Sequence, residues 1–175
     1  MRELDAVAAG APIAVTLSRA ETWELRLKTF HLDEPVVLSD VLPMLENLGL
    51  RVINEIPFEV TPRDAVASIW IQEFQVLPRA PDAFDIEAVK PRFEEAFREV
   101  WTGRSESDGF NRLVLTAGLS AREVTVLRTY CKVIRQAGSS FSQDYMEDTA
   151  SAHPHLAQQL VAPVRHPGQP VARRR

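Results

Sequence analysis

The feature that most constrains this chain is a change in the spacing of its apolar residues around Pro78 to Pro81. Upstream the spacing is two, the repeat of half-buried strands, and downstream it is about 3.6, the repeat of amphipathic helices. A sheet-forming part followed by a helix-forming part is therefore expected, with boundaries at 1–80 and 81–162. A segment at 163–175 shows no period and is expected to be disordered.

In the first part Ile13, Val15 and Leu17 alternate, and Trp23, Leu25, Leu27 and Thr29 alternate against Glu24, Arg26 and Lys28. Val41, Leu42, Leu45 and Leu48 recur at helical spacing, and Gly49 stands where a left-handed cap is wanted. With Asp40 as N-cap, Pro43 falls in the first turn, where its missing N–H removes no intrahelical bond. Leu50, Val52, Ile56, Phe58 and Val60 then share one expected strand face opposite Arg51, Glu55 and Glu59. After a turn at 61–64 the run at 67–77, rich in β-branched and aromatic residues, makes a fourth strand. If residues 2–9 add a short helix, the order αββαββ is a circular permutation of the ferredoxin-like βαββαβ order. The expected class is α+β: an antiparallel sheet with helices on one face, followed by an all-helical segment.

In the second part Ile86, Val89, Phe93, Phe97, Val100 and Trp101 recur three or four apart before Gly103. Pro91 either kinks that helix or marks its start. A shorter helix is expected over 108–117. Ser120 and Glu123 form a capping box ahead of the stripe Val124, Leu127, Cys131 and Ile134. Ser140 and Gln143 suggest another box, and His153-Pro154 a break and restart leading into Leu156, Leu160 and Val161.

Composition narrows the function. A net charge of −4 and a pI near 5.6 give no basic footprint for nucleic acid, and the terminal Arg173 to Arg175 read as a solvated tail. One cysteine, Cys131, forms no internal disulfide and suits a cytoplasmic chain. No run reaches the roughly 20 apolar residues of a membrane span. The seven glycines stand mostly where helices should end, so they do not form the tight cluster that a dinucleotide pyrophosphate needs. His153 and His155 flank a proline and read as exposed turn residues, not metal ligands. Cys131 and His31 have no visible catalytic partner, and Glu94 and Glu95, or Asp144, Glu147 and Asp148, read as solvated helix faces. Trp23, Trp70 and Trp101 read as core or interface residues, Trp101 joining the two parts. No catalytic, cofactor-binding or metal-ligating residue is assigned.

Three strings carry more than periodicity: LSDVLPMLENLGLRVINEIPFEV at 38–60, SDGFNRLVLTAGLSAREVTVLRTYCKVIRQ at 107–136, and FSQDYMEDTASAHP at 141–154. Together they resemble the long bacterial NAD-specific glutamate dehydrogenases, in the region ahead of the catalytic domain where an ACT-like module precedes helical motifs. The resemblance covers residues 3–161. It implies oxidative deamination of glutamate to 2-oxoglutarate and ammonia with NAD, carried out by a catalytic domain downstream, with NAD bound there and not here. Partners implied are the remainder of such an enzyme or other copies of this chain. ACT-like modules also imply an amino-acid effector between a strand and a helix, here near Ser39 and Asp40. After Val161 the sequence leaves the family pattern for a proline- and arginine-rich tail, a departure that a truncated or frameshifted reading frame would explain.

Overall fold

A computed structural model of the 175-residue chain describes residues 2–20, 24–61, 67–79 and 85–165. Trp23, the turn beyond Thr61 and the tail from 166 onward lie outside the described residues.

The strands are β1 (Ala14–Arg19), β2 (Leu25–Leu32), β3 (Leu50–Val60) and β4 (Ile69–Pro78), and they form one sheet in the order β1-β2-β4-β3. Every neighbouring pair is antiparallel. Helix α2 (Leu38–Asn47) joins β2 to β3, and helix α3 (Ile86–Trp101) follows β4 and packs along β1. The β2-α2-β3 unit has β4 inserted between its strands, which is the split crossover of the expected permuted order.

The second helix of that arrangement is α3, not residues 2–9. Helix α1 (Arg2–Ala8) lies on the opposite face of the sheet, where Val7 packs with Ala14, Phe30 and Ile69 in a small separate cluster. The expectation of helices on one face therefore fails for α1. It has only seven residues and covers only part of the second face.

Core-facing positions follow the strand period: Val15 and Leu17, Leu25 and Leu27, Phe74 and Val76, and Leu50, all buried. Strand β3 departs from it. Register shifts between Val52 and Asn54, so Val52 pairs with Val76 while Ile56, Phe58 and Val60 pair with Glu73, Ile71 and Ile69. One extra residue inverts the side-chain phase of everything after it. Leu50 and Val52 thus face the helices, whereas Ile56, Phe58 and Val60 face away and remain exposed, which corrects the single expected face.

Helix α2 also starts earlier than expected. Val37 is its N-cap, with no side-chain hydrogen bond, and Asp40 lies inside the first turn. Pro43 is therefore interior, where its ring deprives the carbonyl of Ser39 of an intrahelical donor. Helix α3 resolves the ambiguity at Pro91. Asp85 caps its start, its side chain accepting from the Glu87 N–H at 3.1 Å, and Pro91 lies within the helix. Phe93 and Phe97 are fully buried from α3, each worth about 1.5–3 kcal/mol of transfer free energy.

After α3 comes a 3-10 turn (Gly109–Arg112) capped by Asp108, running into the short α4 (Leu113–Thr116). Helix α5 (Ala121–Gln136) carries the Ser120–Glu123 capping box as expected. Helix α6 (Gln143–Ala152) is capped by Ser142, not Ser140: the Ser142 hydroxyl accepts from the Tyr145 N–H at 3.1 Å. His153 ends α6, and α7 (Pro154–Arg165) restarts at the proline and runs past Pro163 into the expected tail. One apolar core runs from Ile13, just ahead of β1, to Val161 on α7, so the two parts share an interior.

Candidate functional site

Three places gather the groups that could do chemistry or bind a ligand. The first is the corner between β2 and α2. Asp33 turns the chain there with a φ of 67°. Its N–H donates to the Ser68 carbonyl at 2.8 Å, and His31 Nδ1 lies 2.9 Å from the Glu34 carbonyl. Gln72, buried on β4, holds the corner from beneath: Oε1 accepts from the Val36 N–H at 2.5 Å, and Nε2 donates to the Val36 carbonyl at 3.2 Å and to Glu55 at 3.0 Å. Its amide is thus used up on the fold. Ser39 and Asp40, the expected effector residues, lie together on the exposed first turn of α2, their side chains 3.4 Å apart. The His31 ring meets Trp101 edge-on at 5.9 Å, so Trp101 fastens the end of α3 to the sheet.

The second place is a polar seam under the 3-10 turn. Arg128 is only 3% exposed and forks onto Asp108, with Nε 2.5 Å from Oδ2 and Nη2 2.8 Å from Oδ1. Nη2 also reaches Asn111 Oδ1 at 2.7 Å and the Glu106 carbonyl at 3.2 Å. From α6, Glu147 accepts from the Gly109 N–H at 3.1 Å and from Gln143 at 2.8 Å. A side chain at Gly109 would collide with the Glu147 carboxylate, so the glycine is required by close approach. Glu147 is 7% exposed, which corrects the expectation that it lies on a solvated face. Glu94 departs from that expectation too: its carboxylate accepts from the Leu17 N–H at 3.1 Å and satisfies an edge donor of β1.

Sequence reasoning missed this seam, although a signal was present. Arg128 occupies the position four after Val124 on a stripe that includes Leu127 and Cys131, and a charge on a buried stripe requires a buried partner. At the rim, the Lys132 ammonium, hydrogen-bonded to Glu106 at 2.6 Å, holds that carboxyl below its usual range.

The third place is an apolar trough of about 480 Å³ among α5, α6 and α7. Cys131 and Met146 line its floor with their sulfurs 2.9 Å apart, and burial pushes the Cys131 thiol pKa up. Phe141 and Tyr145 stack at 4.9 Å along one wall. The stripe of α5 runs out into this trough, so Ile134, expected inside, is half exposed.

The described glycines do not fit a dinucleotide. Gly49, Gly103, Gly118 and Gly138 follow helix ends in the left-handed region, while Gly109 is pressed against Glu147. None opens a helix after a parallel strand, as pyrophosphate binding requires. Among the described residues no group of three or more His, Cys, Asp or Glu is placed to hold a metal. His153 and His155 are exposed, with rings 6.2 Å apart. No described helix is long and apolar enough to cross a membrane.

Comparison with known proteins matches both parts. Residues 13–89 match the family model for the glutamate dehydrogenase ACT3 domain, and residues 105–165 that for glutamate dehydrogenase helical motif 3. The chain is 41% identical over 170 residues to an NAD-specific glutamate dehydrogenase of Halomonas elongata, a match over 91% of this chain and 10% of that protein. Similar proteins of the same name occur in Pseudomonas aeruginosa, at 38% identity over 79% of this chain, and Mycobacterium tuberculosis, at 42% over 71%. Each match spans only 8% of the relative's length.

Proposed function

From the premise that the chain belongs to the NAD-specific glutamate dehydrogenase family, as an ACT3 domain joined to helical motif 3, we propose that it is a non-catalytic structural and regulatory segment of such an enzyme. The parent reaction is the oxidation of L-glutamate by NAD, with water, to 2-oxoglutarate, ammonia and NADH, performed by a catalytic domain outside this chain. The segment works in the cytoplasm, packed against the rest of the enzyme or against other copies of itself, without nucleic acid or membrane.

One observation carries this reading: among the described residues, several buried or half-buried polar side chains with catalytic potential are engaged in holding the fold. Arg128 and Asp108 satisfy each other, Glu147 holds Gly109, Glu94 caps a strand edge and Gln72 clamps Val36. A general acid or base must reach a substrate proton, and these groups are turned inward. The test is glutamate-dependent NAD reduction by the purified chain. No turnover is expected, and turnover would overturn the reading.

A second reading places an amino-acid effector at the first turn of α2, beside Ser39 and Asp40. Its support is that Val37 supplies no side-chain cap, leaving this helix start without the oxygen that Asp85 or Ser120 gives elsewhere. Calorimetry against a panel of amino acids decides it: heat that disappears in Ser39→Ala and Asp40→Ala supports an effector site, and silence across the panel removes it.

A further inference from the structure

We propose that the trough among α5, α6 and α7 is the seat of an amphipathic helix supplied by the glutamate dehydrogenase polypeptide outside this segment, an inference that rests on the functional reading above. The walls are Tyr130 and Ile134 on α5 and Leu156 and Leu160 on α7, each pair a ridge at helical spacing, with Phe141, just ahead of α6, stacked on Tyr145 of its first turn. All six are about 40–55% exposed, a large side-chain area left in water along three neighbouring elements. Ridges four residues apart present the grooves into which the ridges of another helix fit.

Shape argues against other occupants. A small ligand is enclosed over most of its surface by its pocket, whereas these walls stand half in solvent along their length. A second copy would need a convex apolar helix to offer. Outside the trough, Ile56, Phe58 and Val60 stand on a strand face and Val37 with Leu38 is a lone pair at the start of α2, so neither offers an apolar helix stripe.

The parent polypeptide has ample material for the seat. This chain accounts for only 8–10% of the length of its relatives, and every wall residue lies within the helical-motif match at 105–165. A helix tethered in the same polypeptide is at high effective concentration, so modest contacts suffice to keep the trough filled. One end is polar: Lys132, Arg135, Ser139, Ser140 and Ser142 line a shallow depression that shares Phe141 with the trough. Lys132 is already paired with Glu106, so Arg135 is the cation that an acidic residue of the seated, apolar-striped helix meets at that end.

The test uses the full 175-residue chain and, as probes, overlapping peptides of roughly 25 residues, long enough for helix to form, tiling the Halomonas elongata enzyme outside the matched region. At least one peptide with an apolar stripe should bind. Leu160→Glu and Tyr145→Glu, both at exposed positions, should each weaken it by about tenfold or more with unchanged circular dichroism, while Phe58→Glu on the sheet should leave it unaltered. Silence from every peptide, or binding indifferent to both trough variants, overturns the proposal. So does a dimer in sedimentation that Leu160→Glu abolishes, because the occupant is then a second copy. Glutamate-dependent turnover by the chain would instead sink the non-catalytic reading and leave the peptide result untouched, so the two failures are distinguishable.

Discussion

In the sheet half, Leu17, Leu27, Phe74 and Val76 are enclosed between the sheet and helices α2 and α3, whereas in the helical half Phe141, Tyr145, Leu156 and Leu160 stand half in solvent. The sheet half is held by apolar packing with few buried charges. The helical half, whose elements are short and make less core, is held across a buried arginine fork and a buried glutamate. Short helices need tertiary partners, and here a polar seam supplies what apolar burial does not. The sheet half is closed on the face that α2 and α3 cover, and the helical half is open along its trough.

The comparison breaks most sharply at Arg128. Replacing it with Ala strands Asp108 and Asn111 in the interior and should cost about 3–5 kcal/mol, the usual penalty for removing one partner of a buried pair; urea unfolding measures it. Phe74→Ala in the sheet should cost a similar 3–5 kcal/mol through a cavity instead. If Arg128→Ala proves mild while Phe74→Ala is severe, the helical half depends on packing after all.

Gly109→Ala comes next, at about 1–3 kcal/mol, since the added methyl must displace the Glu147 carboxylate. Adding Glu147→Ala should relieve much of that crowding, a non-additivity visible in a double-mutant cycle. Leu160→Ser and Tyr145→Ser at the open trough should change stability by only about 0.5 kcal/mol or less, which thermal melts can resolve. A large loss there would mean that these side chains belong to the fold and not to an interface.

A comparably small effect belongs to Glu106 and Lys132. Lys132 lowers the pKa of Glu106 in the folded state, so their pair stabilises above the ordinary carboxylate value and loses this as pH falls through the depressed one. Both side chains are at least half exposed, so Lys132→Ala should cost only about 0.2–1 kcal/mol near neutrality. The gap from the parent chain should close in the acid range below the ordinary value of 4.5, as pH-dependent unfolding would reveal.

Much of the architecture was legible because apolar spacing reports which face is buried. The two periods located the sheet and the helices, and the Ser120–Glu123 box marked α5 to the residue. What escaped had physical causes. The bulge at Ile53 changes the face of Ile56, Phe58 and Val60 without altering their alternation. Ser140 and Ser142 are equivalent as candidate caps until the backbone chooses one. Helix α1 has too few residues for its pattern to say which face of the sheet it covers. The position of Arg128 on an apolar stripe signalled a buried charge, but Asp108 and Asn111 for Arg128, and Gly109 for Glu147, lie 17 to 38 residues away in sequence, so no local pattern could name those partners. Ser39 and Asp40 could be located, but helix-capping chemistry and effector chemistry draw on the same residue types.

The central claim is that the described residues of this segment form no seat for the NAD that its relatives' names carry. Isothermal titration of the purified chain with NAD tests it most directly. The account predicts no saturable heat up to millimolar coenzyme, about the −4 kcal/mol level of binding. Saturable binding at one site per chain would contradict it.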